Sequence, residues 1–452
     1  MATLHAQAPP GLSFFRGDPL AVAQGCAERA LLRDPKNSDC LLLLGRILFA
    51  RGDRLGAEQQ FARFQKLRPR DVDTYLDLGR ARLEQGDRSG AEECFAKAQL
   101  LKPRAVDTYR LIADAWMSVG ARETALAQVE KAKEHASDYP GQAAEFATEL
   151  LDFGCAPEAR ALMDLSFAAK PKDWEASKDF GSACLRAHLP EEANLWFGRA
   201  IAAKPSDLKV RKEVALACAE HASKEDIPTI KAGMLAAAES GFPSKDRDNE
   251  DTANLAWVYL SAGEREKAET LFRDIILSKE VKADAFRAIG RACLRTGLLP
   301  EAFKAYEAIE HTRSSGAFVG IGPMSPGLFG QSMVKIDFVK LGRKQALGDA
   351  AMDLSSKGYI DKALPLMQAV YLDDPEDFDW LLQFGQACLK TGKRDQAALY
   401  FSKAADVSYK EKGFWTTLAT IHLDLALKAH PSTTPAMPGP SGQGCGIATP
   451  KP

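Results

Sequence analysis

Residues 75–103 read YLDLGRARLEQGDRSGAEECFAKAQLLKP, and the architecture of the chain follows from how this stretch recurs. Tyr75 and Leu78 share one helical face, and Gly86 interrupts the middle. Ala91, Phe95 and Ala98 share a second face before Pro103 closes the unit. Shifts of 34 residues carry the pattern outward without insertion. Small residues recur at Gly45, Gly79, Ala113, Ala147 and Gly181, and alanines at Ala57, Ala91, Ala125, Ala159 and Ala193. Large apolar residues recur at Phe61, Phe95, Val129, Met163 and Phe197. Two more columns punctuate each unit: Gly52, Gly86, Gly120 and Gly154 with His188 in the next place, and Pro69, Pro103, Ser137, Pro171 and Pro205.

Each column has a steric cause. Two antiparallel helices approach closely only where both present small side chains, so the Gly/Ala column faces the alanine column and the large column fills the gap beside them. Glycine permits the backbone that ends the first helix, and proline cannot continue the second. Leu41, Leu44 and Leu48, like Tyr109, Ile112 and Trp116, keep helical spacing.

These columns resemble the tetratricopeptide repeat family, whose pattern is W-x-x-L-G-x-x-Y followed by A, F, A and a closing P. Tyr75, Leu78, Gly79, Ala91, Phe95, Ala98 and Pro103 carry it in one unit, and Phe180, Gly181, Ala193, Phe197, Ala200 and Pro205 in another. The resemblance implies an all-α, right-handed superhelical solenoid of about ten helix-turn-helix repeats with a C-terminal capping helix. The expected organisation is an N-terminal segment and half repeat over 1–37 and five in-phase repeats over 38–207. A degenerate repeat plus insert covers 208–248, two repeats 249–316, a Gly/Pro/apolar insert 317–343, two repeats 344–411, a capping helix 412–430 and a disordered tail 431–452. Ala23, Ala30 and Pro35 fit only the second half of a unit, whereas Trp415, Leu418 and Ala419 begin a first helix with no second one after it. In the degenerate unit Ile227 stands where alanine is expected and Lys231 where phenylalanine is expected.

Composition agrees with this reading and narrows the function. With 46% hydrophobic and 27% charged residues in 452, the chain suits stacked amphipathic helices better than a single core. Lys plus Arg (59) nearly balance Asp plus Glu (61), so no global field draws nucleic acid or an anionic membrane. The nine cysteines are scattered singly, and Met1–Phe15 lacks a basic region followed by an apolar one, which points to a reducing cytoplasm and no membrane insertion. Cys184, Cys218, Cys293 and Cys388 fall at the eleventh position of their repeats and read as core rather than nucleophiles. The histidines make no metal or catalytic spacing, no P-loop or G-x-S-x-G occurs, and no strand precedes Gly320, Gly322 and Gly327 as a phosphate loop requires. The chain is therefore expected to be no enzyme and to need no cofactor.

The family resemblance implies partner contacts at positions two, five, nine, twelve and thirteen of the first helices. Projected here they give Arg46, Phe49, Arg80, Leu83, Lys178, Arg186 and Trp257, with Arg287, Arg291 and Arg295 in a row at i, i+4 and i+8. Arginine forks suit carboxylates, so the expected partner is a protein or peptide with acidic groups. The competing expectation pairs these cations internally, Arg46 and Arg80 with Asp73 or Asp107, and the triple row with Glu250 or Asp284. Trp257 is read either as an exposed anchor or as packed against the next repeat. The family's carboxylate clamp places Lys at position five and Asn at nine of the first repeat; Leu42 and Arg46 stand there instead. Apolar residues in the 317–343 insert make it either a lid over the groove or a cover for an apolar seam, giving a gated regulator, or a noncatalytic subunit of an enzyme or assembly complex, as alternatives to a plain scaffold.

Overall fold

The computed structural model describes residues 11–245, 247–277, 283–310, 338–408 and 412–429, and among these it is all-α with 22 helices. A 3₁₀ turn, Phe14–Arg16, precedes α1 (Pro19–Arg33), α2 (Ser38–Ala50), α3 (Arg54–Leu67), α4 (Val72–Glu84) and α5 (Arg88–Leu101). Then follow α6 (Val106–Ser118), α7 (Arg122–Lys133), α8 (Pro140–Asp152), α9 (Ala156–Ala169), α10 (Trp174–Arg186) and α11 (Pro190–Ala203). Next come α12 (Leu208–His221), α13 (Ile227–Gly241), α14 (Asn249–Ser261), α15 (Arg265–Leu277), α16 (Ala283–Arg295) and α17 (Leu299–Glu310). The series ends with α18 (Phe338–Ser356), α19 (Ile360–Asp373), α20 (Phe378–Lys390), α21 (Arg394–Ser408) and α22 (Lys412–Ala429). The described residues form two compact units, one within Met1–Arg16, Asp71–Leu76 and Phe95–Tyr409, the other within Gly17–Arg70, Asp77–Cys94 and Lys410–Pro452.

In the first unit, α6 to α21 pack as successive hairpins, α6 on α7 through α20 on α21. Each first helix also packs on the next, from α6 on α8 to α18 on α20, which makes a continuous layer of first helices. The periodic sequence supplies the local reasons. Asp173, Asp207, Asp248 and Asp377 each stand one residue before a first helix, where the carboxylate accepts a backbone N–H of the opening turn. At the hairpin turns, Gly120, Gly154, Gly263, Gly297, Gly358 and Gly392 all have φ between 70° and 84°, and His188 takes the same left-handed conformation at 56°.

The helix crossing within each hairpin is set by one pair of positions. A β-carbon on Gly181 would lie 2.8 Å from Cε1 of Phe197, and Gly290 and Gly385 meet Tyr306 and Phe401 in the same way. Where the small residue is alanine, the facing residue is not a ring: Ala113 goes with Val129, Ala147 with Met163, Ala351 with Met367. The exception is Ala256 with Phe272, and Phe272 is only half-buried. Volume is thus conserved across the crossing, as close packing demands.

Two expectations of phase are corrected. The unit at 208–241 is a regular hairpin whose turn is lengthened: α13 begins at Ile227, and its buried stripe is Ile230, Met234, Ala237 and Ala238. Ile230 and Met234 therefore take the places assigned to Ile227 and Lys231, and Ala215 with Met234 obeys the crossing rule. The 317–343 insert is shorter than expected, because α18 starts at Phe338; residues 317–337, like the 431–452 tail, lie outside the described residues. The insert does not interrupt the stack, since α16 packs on α18.

In the second unit, α2 and α3 pack around Leu41, Ala57, Phe61 and Phe64 with Leu78 and Ala81, and Gly45 admits the Phe61 ring. The final helix, α22, expected as a cap, lies along α1 and touches α2. His422 on α22 is 2% exposed, and burial pushes its imidazole down to about 4.

Two outcomes follow. Gly385→Ala should cost about 2 kcal/mol by forcing Phe401 aside, against about 1 kcal/mol for Gly392→Ala, whose added carbon meets nothing and strains only the backbone; urea unfolding of both variants gives the difference. For His422 the folded-state value lies below the free value of about 6.5, so a proton favours the open form. Its neutral packing is fully available above about pH 6.5 and is lost as pH falls toward 4, a change on the order of 3 kcal/mol. Between pH 7 and pH 4.5 the urea midpoint of wild type should fall relative to that of His422→Leu, and parallel curves would refute this.

Candidate functional site

The layer of first helices in the first unit carries two adjoining clefts. One, of about 730 Å³, is bounded by α8, α10 and α12; the other, of about 500 Å³, lies among α12, α14, α16 and α18. Glu220 and His221, at the end of α12, line both. Short residues such as Ala144, Ala176, Ser182 and Ala217 leave the first cleft open, and charged residues stand around its edge.

Five of the cationic residues singled out from the sequence lie in this unit, each engaged by a carboxylate. Lys178 Nζ lies 3.0 Å from Asp179 and 3.3 Å from Glu213, and Arg186 makes a two-pronged contact to Asp152 at 2.9–3.0 Å. Arg287 pairs with Asp349, and Arg291 Nε donates to Asp353 at 2.9 Å, both carboxylates lying on α18. Arg295 donates to Glu220 at 3.0 Å, and its guanidinium stacks 4.5 Å from the Trp257 ring. These acids come from other first helices, α18 and α12, and the side chain of Asp284, expected beside Glu250 for this row, lies outside the described residues. One side chain, Arg295 of α16, thus ties down Trp257 of α14 and Glu220 of α12. Trp257 is 6% exposed, so it is packed rather than open as an anchor.

The remaining positions belong to the second unit. Arg46 forks onto Glu84 at 2.8 and 2.9 Å, in place of the expected Asp73 or Asp107. Arg80 is exposed, Leu83 is buried, and half-buried Phe49 lies 5.8 Å beneath the Arg54 guanidinium.

The clefts differ in sign. The first is lined by seven carboxylates, among them the exposed Glu145 and Glu175, against Lys178 and Arg186. The second is lined by Lys224, Arg291, Arg295 and Lys357 against Glu220 and Asp353. Burial lowers His221 below the usual histidine value, which favours its neutral imidazole beside Glu220 on the wall the two clefts share. Sequence reasoning found the cations and missed the acids, because first-helix carboxylates carry no motif of their own.

Among the described residues no three His, Cys, Asp or Glu side chains converge as a metal site, and no helix is long and apolar enough to cross a membrane. Cys184, Cys218, Cys293 and Cys388 are at most 2% exposed, and burial raises their thiols to about 11–12, far from thiolate reactivity at neutral pH.

Arg295→Ala should uncover Trp257 and shift tryptophan emission to the red, and adding Trp257→Phe should abolish the shift. An unchanged spectrum in Arg295→Ala would contradict the stacking.

Comparison with known proteins gives the same picture. A family model described as tetratricopeptide repeat matches residues 11–72, 76–140 and 254–317. No curated relative matches the sequence. Among solved structures the chain is similar to MamA, at 20% identity, covering 38% of this chain and 94% of that one with a TM-score of 0.25. It is similar to PilF of Pseudomonas aeruginosa at 15% identity, covering 45% and 90% with a TM-score of 0.26. It is also similar to a human IFIT1 dimer with m7Gppp-AAAA, at 13% identity, covering 85% and 94% with a TM-score of 0.29. With the periodic columns, the paired helices and the matched segments taken together, the chain carries tetratricopeptide repeats.

Proposed function

We propose that this protein is a non-catalytic scaffold that holds a segment of another protein against its layer of first helices. The observation that carries the reading is the pair of adjoining clefts of opposite sign, lined along six successive first helices of one stack. Such a surface suits an extended or helical segment rather than a small molecule, because it is long, open and bordered by charge.

The charge pattern sets the chemistry of that segment. The arginines expected to greet an acidic partner are already held by carboxylates, and an acidic ligand would have to displace them at the cost of a desolvated counter-charge. The α8–α12 cleft instead keeps an excess of carboxylate, with Glu145 and Glu175 open to solvent. A lysine- or arginine-bearing stretch fits there. Any acidic group of the same segment fits further along, toward Lys224 and Lys357, both exposed.

Fluorescence anisotropy with 15-residue helical peptides tests this, using one cationic, one acidic and one bipolar sequence. The cationic and bipolar peptides should bind saturably and weaken with added salt, and Glu145→Lys/Glu175→Lys should weaken them at least tenfold, about 1.4 kcal/mol. Preferential binding of the acidic peptide, or indifference to the double reversal, would overturn the reading.

A further inference from the structure

The second unit holds an arrangement that adjacency in the sequence does not explain: α22 packs along α1 and also touches α2, where the contact joins residues 376 positions apart. At this junction Cys40 Sγ, on α2, and Thr416 Oγ1 are 2.8 Å apart, and the guanidinium groups of Arg29 and Arg33 stand 5.4 and 5.6 Å from the Trp415 ring. The buried side chains on α22 are those of a first helix: Trp415, Leu418 and Ala419 keep the spacing of Leu41, Leu44 and Gly45. Those on α1 are those of a second helix, since Ala23, Ala27 and Ala30 lie one repeat before Ala57, Phe61 and Phe64.

The geometry points to α22 and α1 as the first and second helices of one repeat, assembled from segments far apart in the chain, so that α1 is a docking surface whose occupant is this chain's own α22. The crossing rule supplies the independent support. Every other hairpin with a ring at the second-helix position and that ring fully buried has glycine opposite, as Gly385 faces Phe401. Here the pair is Ala419 and Ala27, both fully buried, and the large aromatic residues Phe414 and Trp415 of α22 are each 1% exposed. A helix that capped an array without a partner would leave that face in water. Instead Leu418, Ala419 and Leu423 are all buried. The pairing works as a clasp, because release of α22 would bare the alanine stripe of α1 together with Cys26, which is now fully buried.

Two measurements on the full chain decide this. Thr416→Cys places a second thiol beside Cys40, and mild oxidation should link the two within one chain: a faster monomer band on a non-reducing gel, absent in Thr416→Cys/Cys40→Ser. Linkage only between copies, or none while the reduced variant keeps wild-type helicity, would overturn the assignment. In the second, Ala27→Phe should lower the thermal midpoint and Ala419→Gly added to it should recover at least half the loss, since together they restore the glycine-and-ring pair. A further drop in the double variant would refute the shared register, and if Ala27→Phe does not fold alone, recovery of folding in the double variant is the supporting result and its failure the opposing one.

Discussion

Everything in this molecule depends on the close crossing of two helices at a position with no room for a β-carbon when an aromatic ring lies opposite. Gly181 against Phe197 and Gly385 against Phe401 are that interaction in its tight form. Ala147 with Met163 and Ala351 with Met367 are its relaxed form, in which one methyl added on the first helix is matched by a slimmer, more flexible side chain on the second. Because each hairpin solves the same volume constraint, neighbouring hairpins present similar faces and stack, and a stack needs only nearest-neighbour contacts to be stable. The layer of first helices, and with it the pair of clefts, is a consequence of that packing.

The inner layer also explains why so many charges are tolerated close together. Arg287, Arg291 and Arg295 stand on one face of α16, where like charges alone would weaken the helix by a few tenths of a kcal/mol per pair. Asp349, Asp353 and Glu220 on neighbouring helices remove that conflict and add cross-ties between repeats. These pairs are partly exposed, so each contributes modestly to stability. Their larger effect is on orientation, since a stacked and forked arginine such as Arg295 fixes Trp257 and Glu220 in place and leaves the cleft wall preformed.

Much of this was legible in the sequence, for a physical reason: the 34-residue step repeats the crossing constraint, and a constraint that recurs is visible as columns. Even His188 kept its column, because the turn requires a left-handed residue there whether or not it is glycine. What escaped was of two kinds. The lengthened turn before α13 displaced Ile230 and Met234 by three residues, so a fixed grid sampled Ile227 and Lys231 and made a regular hairpin look degenerate. The ion pairs of Arg287, Arg291 and Arg295 escaped because their acids lie 62 to 75 residues away on other first helices, a distance set by three-dimensional stacking and by the insert before α18, with no local signature.

The same distinction between local and distant pairing bears on how α22 is held. A flexible loop joining Cys40 and Thr416 across 376 residues would cost about 5 kcal/mol in closure entropy. Burial of Trp415, Leu418, Leu423 and Val22, at roughly 1.5–3 kcal/mol for each side chain, is of the size needed to exceed that cost, while polar contacts such as Cys40 with Thr416 add little. Apolar complementarity therefore has to carry the pairing, and complementarity is what the in-register alanines provide. It follows that the alanines of α1, which look like ordinary helix-forming residues in isolation, are constrained by a helix hundreds of residues away, and that their substitution is governed by the volume of Ala419 and Trp415 more than by helix propensity.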